Sequence, residues 1–375
     1  MYMTGDFVPQ KTIPIVPDFG DEWVLANLEG PVCADNLKQA EKVGAHLHST
    51  PFVLDGKWAF SLANNHLMDF GAEGLSQTRE FLAQRNKDMP TLWAGAGDNF
   101  SEASKPMIIE ESGQRIAVLS CCERQFGMAG ENIPGVAAKG AWLYSSISML
   151  KAEVDFIVVS CHCASEFSTA ISPQLQKFYH SLIDAGVDVV HGHHSHVPQG
   201  WEEYKGRPIF YGLGNFVVDA KDWQTNPSYK WSLIANVKFS RNGIKWHVYP
   251  HGETPLDVSD YLARANLGFS NPSLMTALWQ DSCVRLYHKI YEQNLKAHPV
   301  ETLKLSTRDR LKCLYFAFVD FWQALWGRRC PSSRSIFYAR VVYNYFNCES
   351  HVDVISTALG VLTGSIPDER ERLIK

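Results

Sequence analysis

Short apolar runs recur along the chain, and several stop on polar residues of the kinds that hold metals or move protons. Trp23 to Leu28 reads as a buried strand followed by Glu29 and Gly30, with Asn27 near its end. Trp58 to Ala63 reads as another, ending in Asn64, Asn65 and His66. Asp69 and Gly71 follow, then a helical pattern from Glu73 that sets Leu75, Phe81 and Leu82 on one face. Pro106 to Glu110 and Arg115 to Ser120, joined by a Ser112-Gly113 turn, predict a hairpin with no evident chemistry. The near-continuous apolar run from Asp155 to Cys163 predicts a strand covered on both faces. Ser172 as N-cap, Pro173 in the first turn and Gly186 as stop predict a helix with Leu175, Phe178, Leu182 and Ile183 inward. A further strand (Val187, Val189, Val190) then leads into His191, His193, His194 and His196. A hairpin turning at Lys205 and Gly206 follows.

The histidine stretch organises the reading. Four imidazoles within six residues bring eight ring nitrogens that need partners, and neutral imidazole suits zinc, manganese, iron or cobalt. The spacing of His194 and His196 lets two rings share one ion or straddle two. A solvated histidine-rich turn is the alternative, disfavoured by the ordered hairpin pattern that follows. Glu29 leaving an apolar strand calls for a cation or a basic partner. Asn65 offers an amide oxygen and His66 a proton donor, although Asn64 and Asn65 also suit a turn and a helix cap. Asp6 reads either as a carboxylate ligand or as part of a Gly5-Asp6 turn closing a short first strand. Alternation points His162 away from Cys161 and Cys163, which argues against one ion held by all three. Zinc held by the two cysteines and two of the clustered histidines is the lesser alternative. A strand–helix–strand crossover sets His162 beside His194 and His196.

Composition excludes more than it selects. The 375 residues are 45% hydrophobic and 20% charged with a net charge of −5, so a broad nucleic-acid footprint is not expected. Nine scattered cysteines, an odd number, suggest a reducing compartment rather than a disulfide framework. With neither a signal peptide nor a spanning helix apparent, a cytoplasmic location is expected, unless an N-terminal segment precedes Met1. Residues 255–375 carry helical patterns without ligand clusters. Within them, residues 311–326 are densely aromatic and flanked by arginines, and predict either a buried helix or one that docks on a membrane surface or a capsule-assembly partner.

Six motifs, taken together, carry a family resemblance: Gly5-Asp6; Asn27 to Gly30; Leu62 to His66 with Asp69 and Gly71; His162 with Glu166; Gly192 to His196; and Tyr211 to Phe216. In this order they resemble the CapA family of capsule and poly-γ-glutamate synthesis proteins, which is similar to calcineurin-like metallophosphoesterases. The resemblance covers about residues 4 to 250. It implies an α/β fold, a four-layer α/β/β/α sandwich over residues 1–254; residues 255–375, mainly helical by their own pattern, lie outside the resemblance. It also implies one or two divalent ions (Mn, Fe or Zn). Asp6 would bind one ion, Glu29 would bridge, Asn65 and His162 would bind the second, and His194 and His196 would complete the two sites. His66 would protonate the leaving group. Metallophosphoesterases usually carry a histidine where this chain has Val8, and an aspartate where it has Glu29. The expected function is hydrolysis of a phosphoester or γ-glutamyl substrate by a metal-activated water in surface-polymer biosynthesis. A non-catalytic scaffold that keeps the fold is the alternative.

Overall fold

The computed structural model describes residues 1–9, 17–42, 44–218, 230–254, 257–291, 340–341 and 343–373. The first half runs β1 (Tyr2–Val8), β2 (Trp23–Leu28), β3 (Lys57–Ser61), α1 (Gly71–Asp88), β4 (Thr91–Ala94), β5 (Ala96–Gly97), α2 (Phe100–Ala103), β6 (Met107–Glu111), β7 (Gln114–Cys122) and β8 (Gly135–Val136). Next come α3 (Trp142–Leu150), β9 (Phe156–His162), α4 (Pro173–Ala185), β10 (Val189–His193), β11 (Trp201–Tyr204) and β12 (Arg207–Phe210). Strands β13 (Asn215–Val218), β14 (Trp231–Ser240) and β15 (Gly243–Gly252) precede helices α5 (Val258–Leu267), α6 (Pro272–Leu286) and α7 (Glu349–Thr363).

The strands form two main sheets. One is ordered β15-β14-β1-β2-β3-β4, with β13 paired to β1; the other is ordered β11-β12-β10-β9-β7-β6. Alternation along each strand dictates the layers. In the first sheet Val24, Ala26, Leu28, Trp58 and Phe60 pack with Leu75 and Leu82 of α1, while Leu25 and Ala59 face the other way. In the second, Ile116, Val118, Val158 and Val189 join Leu25 and Ala59 between the sheets. Ala117, Leu119, Ile157, Val159 and Val190 pack outward on Leu143 and Ile147 of α3 and on Tyr179 and Leu182 of α4. Helix, sheet, sheet and helix therefore stack as four layers, each strand supplying both of its faces.

Local chemistry sets the elements that carry function. Ser172 Oγ accepts from the Gln174 amide at the start of α4, and Gly186 ends it at φ 113°. The strand that follows, β10, pairs parallel to β9 with His193 opposite His162. Lys205 and Gly206 turn the β11–β12 hairpin at φ 52° and 76°.

One local expectation is corrected. Gly5 and Asp6 do not turn the chain; β1 runs through both to Val8. A Cβ on Gly5 would lie 1.8 Å from the Gly214 carbonyl oxygen, so glycine here admits the neighbouring backbone that makes Asp6 and Asn215 partners. Beyond the sheets, α6 and α7 bury Trp279, Cys283, Val284, Val354 and Ala358 against one another. No helix among the described residues is long and apolar enough to cross a membrane. The aromatic segment 311–326 lies outside the described residues.

Candidate metal centre

The candidate residues meet where the strands of both sheets end. Asp6 comes from β1, Glu29 from just beyond β2, and Asn65 and His66 from the loop after β3. His162 ends β9, while His194 and His196 follow β10. All seven are buried. His194 and His196 hold left-handed backbones at φ 93° and 58°, a cost for residues with a Cβ that persists where surrounding contacts over-determine it.

Ligand-capable atoms gather in two triples that share one residue. Asp6, Glu29 and His196 form the first; Glu29, His162 and His194 form the second. His196 lies 3.2 Å from Asp6 through Nδ1 and 3.7 Å from Glu29 through Nε2. His162 Nε2 lies 3.8 Å from Glu29 Oε1 and 2.9 Å from Asn65 Oδ1, so the Asn65 amide adjoins the second triple. Two more triples overlap these: Asp6, His162 and His193, and Glu166, His194 and His196.

Both oxygens of Glu29 are buried without a hydrogen-bond partner, and so is Nδ1 of His194. An orphaned buried carboxylate is expensive unless a cation meets it. Burial, and Asp6 next to it, hold the Glu29 carboxyl well above its usual range. Burial opposes ionisation of Asp6 as well, yet the hydrogen bond and charge of His196 bring that carboxyl down to about 2. His162 is driven well below the usual imidazole range by burial and by the neighbouring histidines, so it is neutral and able to donate a lone pair. Adjacent carboxylates, neutral imidazole and an amide oxygen form a donor set that suits divalent cations, and the cluster can hold metal ions.

The remaining polar side chains have evident duties. Asn64 is a staple: its Nδ2 donates to the Leu28 carbonyl at 2.8 Å, and its Oδ1 accepts from the amides of Leu67, His66 and Gly30. Of the two residues predicted as a pair, only Asn65 faces the cluster. His191 ties the sheets together, its Nε2 2.7 Å from the Thr4 carbonyl and its Nδ1 3.0 Å from Ser160 Oγ. His193 sits between Ser160 Oγ (3.0 Å) and His162 Nδ1 (2.8 Å). His66 directs Nδ1 at Asp69 Oδ2, 2.7 Å away; Lys42 pairs with the other Asp69 oxygen and lies 3.1 Å from the same nitrogen.

The cysteine alternative fails on geometry. Cys161 and Cys163 lie in the helix-covered layer with Cys121, whose Sγ is 3.6 Å from that of Cys161. Among the described residues no ligand group includes a cysteine. Several site residues had no role in the sequence reading. Asn27 donates to Asp6 at 2.8 Å, Asn215 Oδ1 lies 3.1 Å from His196 Nδ1, and Glu123 lies 3.7 Å from His194. Glu166, quoted only as part of a motif, lies 3.9 Å from His194. Asn27 and Asn215 stand at strand ends, a signal like the one that marked Asn65; Glu123 follows an unremarkable hairpin.

Comparison with known proteins places the chain. The family model described as bacterial capsule synthesis protein PGA_cap matches residues 18–220. The capsule biosynthesis protein CapA of Bacillus anthracis is 28% identical over 267 residues, 68% of this chain and 60% of that protein. The PGA biosynthesis protein CapA of Bacillus subtilis (strain 168) is 32% identical over 251 residues, 63% of this chain and 64% of that protein. The chain thus spans less than two thirds of the length of these relatives. Among solved structures, a hypothetical protein from Thermus thermophilus covers 68% of this chain and 99% of its own at 14% identity and a TM-score of 0.37. A 5′-nucleotidase from Candida albicans SC5314 covers 62% and 44% at 12% identity and a TM-score of 0.33.

Proposed function

For a chain that belongs to the bacterial capsule synthesis protein PGA_cap family, matched over residues 18–220 of 375, we propose a metal-dependent hydrolase that acts on a surface polymer or its precursors. One observation carries the reading: two ligand triples share Glu29, a fully buried carboxylate with no hydrogen-bond partner on either oxygen. Asp6, Glu29 and His196 would hold one ion; Glu29, Asn65, His162 and His194 would hold the other. Divalent ions bound there supply Lewis acidity, lowering the pKa of water and offsetting charge that develops on a phosphoryl or carboxamide centre. The chain's own residues do the rest. Asn27 holds Asp6 in place through its 2.8 Å hydrogen bond. Asp69 fixes the His66 ring by accepting from Nδ1, so Nε2 is the nitrogen that would take up a proton from water and, as imidazolium, pass it to the leaving group. His191 and Ser160 brace the strand ends so that the two sheets present their ligands together.

The test is a panel of phosphoesters and γ-glutamyl amides offered to protein loaded with Mn2+, Fe2+ or Zn2+. Turnover that chelator abolishes and one of these ions restores is the expected result; none on any substrate with any ion refutes catalysis. A second reading, a polymer-handling scaffold, has its own support. Val8, where metallophosphoesterases usually place a histidine, is buried and paired with Val218, so the first triple gains no further imidazole there. A scaffold would bind polymer without cleaving it.

A further inference from the structure

The start of α7 approaches the metal centre through Glu123. Glu123 follows β7 and is 3% exposed, and its backbone amide donates to the His162 carbonyl at 3.1 Å. Its Oε1 accepts from Ser350 Oγ at 2.7 Å, from Cys348 Sγ at 3.3 Å and from Gln125 Nε2 at 2.8 Å. The same oxygen lies 3.7 Å from His194 Nε2, with the Gln125 amide nitrogen 3.1 Å from that ring nitrogen. The opposite ring nitrogen, Nδ1, is the buried one without a partner. A neutral imidazole that offers Nδ1 to an ion must keep its proton on Nε2, and of the two neighbours there only the Glu123 carboxylate can accept it, the Gln125 amide nitrogen being a donor. Carboxylates in that position fix the tautomer and orientation of ligating histidines.

What holds Glu123 is a run of contacts from the start of α7. Asn347 Nδ2 donates to the Gln125 carbonyl at 2.9 Å and the Glu349 amide to the Arg124 carbonyl at 3.3 Å, while the Glu349 carboxylate pairs with Lys139 at 2.6 Å. Each of residues 123, 124 and 125 is thus engaged by residues 347–350. The amino end of a helix also favours a carboxylate beside it. None of these helix residues falls in the matched family span of 18–220.

We propose that Glu123 is the positioning residue for His194, and that residues 347–350 hold it there, so the chain beyond the family span completes the metal centre. This rests on the metal-centre reading but not on catalysis. The experiment titrates Mn2+ into the metal-stripped full-length chain and into Glu123→Gln, Ser350→Ala and Ser350→Thr. Thermal melting of the stripped proteins serves as the control for folding. Glu123→Gln is expected to weaken Mn2+ binding roughly 10–100-fold. Ser350→Ala should weaken it about 3–30-fold while the stripped protein still melts cooperatively within a few degrees of wild type, and Ser350→Thr, which keeps the hydroxyl, should bind close to wild type. Should Glu123→Gln fail to fold, the Ser350 pair decides the matter alone. Wild-type affinity in Ser350→Ala, or a Ser350→Thr as weak as Ser350→Ala, overturns the proposal. A wild type that binds neither Mn2+ nor, titrated in its place, Fe2+ or Zn2+ overturns it together with the metal-centre reading. A wild type that binds Mn2+ but hydrolyses nothing removes only the catalytic reading.

Discussion

Replacing Glu29 with glutamine should stabilise the metal-free protein and remove most of the stabilisation that metal brings. In the metal-free protein Glu29 is a buried carboxylate lacking hydrogen-bond donors and lying beside Asp6. Burial and Asp6 hold that carboxyl towards its neutral form, which costs stability at neutral pH because the unfolded chain ionises freely; the glutamine amide has nearly the same shape and does not titrate, so it escapes this cost. Relieving an unsatisfied buried group of this kind is worth about 1–3 kcal/mol. For a protein of this size each kcal/mol corresponds to roughly 2 °C in melting temperature, so stripped Glu29→Gln should melt about 2–6 °C above stripped wild type. Metal works against the variant. An ion at a hundredfold excess over its Kd stabilises by about 2.7 kcal/mol, or roughly 5 °C, and Glu29 is common to both triples. The variant should lose most of that gain. Differential scanning calorimetry of both proteins, stripped and with Mn2+, reads all four states. A stripped variant less stable than stripped wild type, or one that keeps the full Mn2+ shift, would refute the reasoning.

Other substitutions separate ligand from proton donor and scaffold from site. Asn65→Ala should lose Mn2+ affinity and turnover together, because its amide oxygen adjoins the second triple. His66→Ala should keep its metal and lose roughly 10²–10⁴-fold in turnover, with a smaller loss for substrates whose leaving group needs no proton; a demetallated His66→Ala would show the role to be misassigned. Gly5→Ala drives a Cβ to 1.8 Å from the Gly214 oxygen, so the melting temperature should fall by several degrees and Mn2+ binding should weaken as Asp6 shifts. Phe60→Ala empties the ring stack with Phe7 and Trp58, and denaturant unfolding should register about 3–5 kcal/mol with little change in metal affinity once folded.

Much of the site was legible because its residues stand where apolar strands stop. Glu29, Asn65, His162, His194 and His196 each follow or close a run whose periodicity marks a strand, and parallel strands side by side bring their carboxyl ends together. Alternation also settled the cysteines correctly, since residues one apart face opposite layers. What was missed depends on contacts distant in sequence. Gly5 looked like a turn residue, because nothing local announces that the Gly214 backbone passes against it. Glu123 ends an ordinary hairpin, and becomes a neighbour of His194 only through the pairing of β7 with β9 and the approach of residues 347–350. Within the histidine stretch, type alone did not separate His191, which bridges the sheets through the Thr4 carbonyl, from His193, His194 and His196, which enter ligand triples.

The central claim is that this chain binds divalent ions through residues gathered at the ends of both sheets. Elemental analysis of protein purified without chelator, paired with Mn2+, Fe2+ and Zn2+ thermal shifts on the stripped form, tests it most directly. The account predicts between one and two ions per chain and a melting temperature that rises with at least one of the three. A protein that comes out metal-free and melts at the same temperature with every one of them would contradict it.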